Sequence, residues 1–181
     1  MSIIPFLIAW GLKENPGLVK GRTNIGQLIT PPVTTERSDL TGFDKFSADN
    51  MGELTGHWLI VNVIPNNSCN DSCLDAIHKT KQLRLMLNKE LTRTRRMVIL
   101  LKDVAPETAN QWWLGDDTLL RVKPNDAIAK KIAEIRGGNV PDGMLFLMDP
   151  LGNLMMQYEP GFDPYGVKSD LMHLLRISQI G

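Results

Sequence analysis

Two stretches of the chain, Trp58 to Ile64 and Met97 to Leu101, are apolar at almost every position, and the first is rich in β-branched residues. A strand exposed on one face alternates polar and apolar residues, so unbroken runs of this kind predict strands covered on both faces, at the centre of a sheet. Between them the period changes. Cys73, Ala76, Ile77, Thr80, Leu83, Leu87 and Leu91 share one stripe at helical spacing, which predicts a helix over Cys73 to Leu91 with Arg84 as the only intruder. The same period returns at Ile128, Ile132 and Ile135 and predicts a helix over Asn125 to Arg136, capped by Asn125 and stopped by Gly137 and Gly138. Met144 to Met148 and Leu154 to Tyr158 read as a hairpin around Asp149-Pro150-Leu151-Gly152, whose proline and final glycine suit a type I turn with a bulge. A last helix runs from Val167 to Ser178, with Val167, Leu171, Leu174 and Ser178 aligned. Upstream, Gln27 to Thr30 and Asp39 to Phe46 read as short strands, Thr30-Pro31-Pro32 as a break, and Asn50 to Gly56 as a turn or helical piece.

The order strand, helix, strand, helix, hairpin, helix is that of a thioredoxin core. The expected fold class is therefore α/β: a central mixed sheet with two parallel strands joined by right-handed crossovers, an antiparallel hairpin, and helices on both faces. A length of 181 residues suits one main domain. We assign residues 27–181 to that domain and residues 1–26 to an N-terminal segment. Ile3 to Trp10 is apolar but less than half as long as the roughly 20 residues that span a membrane, and it lacks the basic start of a signal peptide. It reads either as the trailing end of an anchor from a longer native chain or as a piece packed on the body. Lys13 to Gly21, with Pro16 and Gly17, reads as a linker.

Charge narrows the function. The 20 lysines and arginines balance 20 aspartates and glutamates, so no overall field draws nucleic acid or an anionic membrane surface. No phosphate loop, serine-nucleophile motif or dinucleotide fingerprint is present. Arg93, Arg95 and Arg96 read as a solvated loop, and Asp116-Asp117 has no partner at metal-binding spacing. Trp112 and Trp113, in a polar stretch, read either as exposed anchors for a partner or as packing over the sheet.

The candidate chemistry lies in Asn66-Asn67-Ser68-Cys69-Asn70-Asp71-Ser72-Cys73, which holds the only two cysteines of the chain. Two cysteines are too few for a disulfide-stapled scaffold or for a closed zinc site of about four ligands. Residues four apart on a helix have α-carbons about 6 Å apart, inside the range of roughly 4.4 to 6.8 Å that a disulfide tolerates. Cys69 falls at or just before the helix start, where unpaired N–H groups and the positive end of the dipole favour a thiolate. Cys69 is expected to be the attacking sulfur, and Cys73, a turn deeper, the resolving one. The plainer reading is that both cysteines pack as small hydrophobes.

At these residues the chain resembles the Sco/SenC branch of the thioredoxin-like proteins. The resemblance covers roughly Gly56 to Ile180: Gly56-His57-Trp58 before the first strand, the CxxxC, and Phe146-Leu147-Met148-Asp149-Pro150-Leu151-Gly152 like that family's strand and PxG turn. The segment from Gly21 to Pro32 is similar to small membrane-anchored relatives in bacterial oxidase-assembly settings. The resemblance implies a membrane-anchored protein on the periplasmic side of a bacterial inner membrane, acting in assembly of the copper centre of cytochrome c oxidase. The implied partners are protein thiols or disulfides, including an oxidase subunit, and the implied metal is Cu(I) on Cys69 and Cys73.

In that family a histidine shortly before the hairpin completes the copper site, and counting back from Gly152 the matching place holds Pro141. His78 is rotated about 140° from Cys73 around the helix. His57 starts the first strand at its far end, His173 lies off the apolar stripe of its helix, and Met144 is the best thioether candidate. The third ligand is thus unidentified. Thioredoxin-like proteins often place a cis proline opposite the active cysteines, so Val140-Pro141 reads either as such a bond or as an ordinary loop proline. Two function classes follow: a thiol–disulfide oxidoreductase that needs no cofactor, and a Cu(I) metallochaperone or non-catalytic assembly factor.

Overall fold

The computed structural model describes residues 26–177. The expectations for Ile3 to Trp10, for the linker, and for Ser178 lie outside those residues. Seven strands, β1 Gln27–Thr34, β2 Leu40–Gly42, β3 Trp58–Ile64, β4 Thr94–Leu100, β5 Leu119–Pro124, β6 Leu145–Met148 and β7 Asn153–Tyr158, form one sheet in the order β1-β7-β6-β3-β4-β5-β2. Strands β3, β4 and β5 are parallel, and every other pairing is antiparallel. The helices are α1 Lys45–Asp49, α2 Asp71–Leu85, α3 Pro106–Asn110, α4 Asp126–Ile135 and α5 Pro164–Ile177.

Alternation along β3 assigns the two faces. Leu59, Val61 and Val63 join Ile128 and Ile132 of α4 in one apolar cluster. Trp58 and Ile60 join Ala76 and Leu83 of α2 and Val167, Leu171 and Leu175 of α5 in another. All seven residues of β3 are buried, as a strand covered on both faces requires. This is the mixed sheet with helices on both faces that the pattern predicts.

The departures from the pattern have physical causes. Strand β5 was not expected, because Arg121 and Lys123 interrupt its apolar residues. The Arg121 guanidinium is nevertheless buried, donating to Asp44 at 2.7 and 3.0 Å and to the Leu119 carbonyl at 2.7 Å. The expected strand from Asp39 to Phe46 shrinks to β2 as Asp44 caps α1, accepting from the Ser47 N–H at 2.9 Å. Helix α2 begins at Asp71 and ends at Leu85 although the apolar stripe runs on. Asn88 has a φ of 51°, a left-handed conformation that asparagine tolerates and a helix does not, so Leu91 falls in a short 3₁₀ turn. Strand β1 continues through Pro31-Pro32 to Thr34, since an edge strand with a register irregularity between Leu28 and Val33 does not need those missing N–H groups.

The hairpin turn forms as expected. The Gly152 N–H donates to the Asp149 carbonyl at 3.0 Å, and the register shifts between Leu147 and Met148. Gly152 has a φ of +94°, and a Cβ there would lie 2.6 Å from the Thr35 carbonyl oxygen. Gly152→Ala should therefore lower the free energy of unfolding by about 1–3 kcal/mol, as read from urea denaturation.

Candidate functional site

Strand β3 delivers the chain to Pro65, and the loop 66–70 carries it over the sheet's carboxyl end into α2. The Asn70 side chain caps that helix by accepting from the Cys73 N–H at 3.0 Å, while the Leu74 N–H donates to the Asn70 carbonyl at 2.9 Å. Cys69 thus sits immediately before the cap and Cys73 in the first turn. The two are joined in a disulfide with α-carbons 5.2 Å apart, within the tolerated range.

The two sulfur-bearing residues differ in exposure. Cys73 is 2% exposed and packs among Ile64, Ile77, Val98, Leu100, Ala109 and Trp113. Cys69 is half-buried and rests against the same cluster beside Phe43, Val104 and Trp112. An external thiol therefore meets Cys69 first. Cys69 lies beside the α2 N-terminus, where the first backbone N–H groups of the helix point.

A second loop faces the first. The Asn66 amide donates to both Asp142 carboxylate oxygens, at 3.3 and 3.2 Å. Gly143, with a φ of +92°, comes so near the helix start that a Cβ on it would lie 3.0 Å from the Ser72 carbonyl oxygen. The Val140–Pro141 bond is trans, which removes the expectation of a cis proline there. Among the described residues the cis bond is Thr30–Pro31, on the far edge of the sheet. The close approach opposite the cysteines is made by Gly143, whose lack of a side chain lets its backbone come this near Ser72.

None of the candidate third ligands joins the sulfurs. Met144 is fully buried in the cluster on the α4 face, whereas both cysteines pack on the α2 face. His57 lies at the other end of β3, its Nδ1 2.9 Å from the Glu53 carbonyl oxygen, and His78 and His173 are exposed on α2 and α5. Among the described residues no three His, Cys, Asp or Glu side chains group to hold a metal ion.

Beneath α2 lies a polar network that the sequence did not reveal. Arg96 is fully buried rather than solvated. Its guanidinium donates to both oxygens of Asp116 at 2.8 and 2.7 Å, to Thr118 at 3.0 Å, and to the Ile77 carbonyl and Thr80 hydroxyl of α2 at 2.9 Å each. The Thr80 hydroxyl in turn donates to Asn62 of β3 at 2.8 Å. Burial pulls the Arg96 pKa down and the Asp116 carboxylate holds it up. The only signal for this pair was the unexplained Asp116-Asp117 doublet. Trp113 is buried and Trp112 half-buried, so both help to pack the sulfur cluster.

With this geometry in hand, residues 58–178 match the family described as the transmembrane-like, thioredoxin-like C-terminal domain. The chain belongs to that family. No helix among the described residues is long and apolar enough to cross a membrane. A comparison with curated protein sequences finds no match. Among solved structures, apo Sco1 from Thermus thermophilus is 14% identical, with a TM-score of 0.57 over 82% of this chain and 95% of that one. Yeast Sco1 with copper bound is 15% identical, with a TM-score of 0.55 over 84% and 93%. BsSco, a member of the Sco family of cytochrome c oxidase assembly proteins in which a disulfide switch was identified, is 16% identical, with a TM-score of 0.53 over 81% and 96%. At such identities these likenesses establish the thioredoxin-like fold that the family shares.

Proposed function

We propose that the protein is a thiol–disulfide oxidoreductase of the thioredoxin-like class. The observation that carries this reading is the Cys69–Cys73 disulfide at the start of α2, with one cysteine half-buried and the other enclosed. In the reduced protein the Cys69 thiolate attacks one sulfur of a substrate disulfide. A mixed disulfide forms, and the departing substrate sulfur takes up a proton. Cys73 then loses its proton and attacks the Cys69 sulfur, which releases the second substrate thiolate and restores the Cys69–Cys73 bond. Two electrons pass from protein to substrate, and the reverse sequence oxidises a substrate dithiol. The test is reduction of a small aromatic disulfide, which wild type should catalyse and Cys69→Ala should not.

The disulfide and the Sco-like fold support action outside the cytoplasm, where such bonds persist, by a membrane-anchored protein on the periplasmic side of a bacterial inner membrane. Keeping the cysteines of a cytochrome c oxidase subunit reduced for metal loading is the role we assign on that basis. The missing histidine, with Pro141 in its place, fits a thiol role better than metal delivery.

A second reading takes Cu(I) as cargo on Cys69 and Cys73. Soft thiolates select Cu(I), and the fold resembles a Sco1 structure with copper bound. The donor set here supplies two sulfurs without a neighbouring histidine or thioether. Competition against a bicinchoninate-type chelator tests this reading, and Cu(I) held no more tightly by reduced wild type than by a Cys69→Ser, Cys73→Ser variant would exclude a dithiol copper site. Tighter binding by wild type would favour the cargo reading.

A further inference from the structure

Arg96 ties together the two pieces of chain that enclose Cys73. It shares one face of β4 with Val98 and Leu100, which pack with Cys73, Ile77 and Trp113 in the sulfur cluster. On one side it holds α2. Its Nη2 donates to the Ile77 carbonyl, one helical turn past Cys73, and to the Thr80 hydroxyl, at 2.9 Å each. On the other side it holds the loop between α3 and β5, where Nη1 donates to both oxygens of Asp116 at 2.8 and 2.7 Å and to the Thr118 hydroxyl at 3.0 Å.

That loop carries Trp112 and Trp113, and its other polar bonds are local. Among the described residues, the backbone hydrogen bonds of residues 111–117 stay within that stretch and α3. The Gln111 N–H donates to the Thr108 carbonyl at 3.3 Å, the Trp112 N–H to the Ala109 carbonyl at 2.9 Å, and the Asp116 N–H to the Trp113 carbonyl at 2.9 Å. Phe43 and Arg121 pack on the Trp113 ring at 6.1 and 5.4 Å, without a hydrogen bond. The bond from Arg96 to Asp116 is thus the polar tie between the tryptophan loop and the sheet. Energy alone does not account for a charged pair at this place, because a buried ion pair often stabilises no more than apolar side chains of the same volume. A guanidinium does fix orientation, since its five N–H groups form a rigid plane that can hold several acceptors at once.

We propose that Arg96 and Asp116 form a clamp that keeps Cys73 enclosed between α2 and the tryptophan loop, and so confines the first thiol exchange to Cys69. The second clause rests on the oxidoreductase reading, and the enclosure itself does not. Both are positioning residues. Without the clamp, residues 111–117 move off the cluster and Cys73 becomes accessible while the sheet stays folded.

The test uses the Cys69→Ala protein, in which Cys73 is the sole thiol. Iodoacetamide should alkylate it at least 100-fold more slowly than in the same protein unfolded in urea. Adding Asp116→Asn, which keeps the shape of the side chain, should raise the rate at least tenfold beyond what the unfolded fraction from urea denaturation allows. The pair Arg96→Met, Asp116→Ala separates the clamp from stability, because it removes the buried charges together. There the stability should partly return and the fast alkylation of Cys73 should persist. Gly152→Ala, strained in the hairpin turn, should raise the rate only in proportion to its unfolded fraction. A rate that follows the unfolded fraction in every variant, or a Cys73 already reactive before the clamp is altered, would overturn the proposal. None of these measurements reads disulfide exchange, so failure of the redox reading would appear separately, as inactivity of wild type on a small disulfide.

Discussion

With alanine at Cys69, the rate of reduction of a small aromatic disulfide should fall by roughly 100-fold or more, to the level of an unactivated thiol in solution. The size of the loss follows from the asymmetry of the pair. Cys73 is 2% exposed behind Ile77 and Trp113, so its sulfur cannot take over as the attacking group. Alanine at Cys73 should have a different consequence. The attack at Cys69 survives, resolution is lost, and a mixed disulfide accumulates at Cys69, visible as a mass increase of one substrate half. Equal residual rates in the two variants would mean that the sulfurs are interchangeable, contrary to their burial. Helix capping should be undisturbed in both, because the Asn70 side chain accepts from the backbone N–H of residue 73 and not from its side chain.

Asp116→Ala should lower the free energy of unfolding of the oxidised protein by about 3–5 kcal/mol, measured by urea denaturation. The carboxylate accepts two bonds from a guanidinium with no exposed surface, and its removal leaves a buried positive charge without a counter-charge. Combining it with Arg96→Met should recover a substantial part of the loss, since that change removes the stranded charge. Recovery will be incomplete, because Arg96 also holds the Ile77 carbonyl and Thr80 hydroxyl of α2. A double-mutant cycle gives the coupling directly. An Asp116→Ala effect below about 1 kcal/mol, the scale of an exposed ion pair, would contradict the buried network.

The architecture was legible where local pattern and tertiary environment agree. The two apolar runs became β3 and the later part of β4 because a strand covered on both faces takes apolar residues at nearly every position. A buried polar residue there, such as Asn62 or Arg96, needs a hydrogen-bonding partner. The CxxxC was readable as a bridge because helical spacing alone brings the α-carbons within range. The misses share one cause, a partner distant in sequence. Arg96 looks solvated until Asp116, 20 residues away, closes on it. Strand β5 looks polar until Asp44, on another element, neutralises Arg121. Pro31 and Pro32 look like a break unless β1 is known to lie at a sheet edge. At the site, Pro141 invited a cis bond by its place in the chain, yet the contact with the cysteine turn is made two residues later by Gly143, whose role depends on Ser72 across the gap.

The most direct test of the central claim is equilibration of the wild-type protein with glutathione buffers of stepped redox poise, read by alkylation of free thiols and by the fluorescence of Trp112 and Trp113 beside the sulfurs. We predict one two-electron transition with a midpoint between roughly −270 and −120 mV, the values of thioredoxin and DsbA, absent in Cys69→Ala. Sulfurs that do not exchange with glutathione, or a midpoint well below that window, would mean that the bond is a structural staple and would contradict the account.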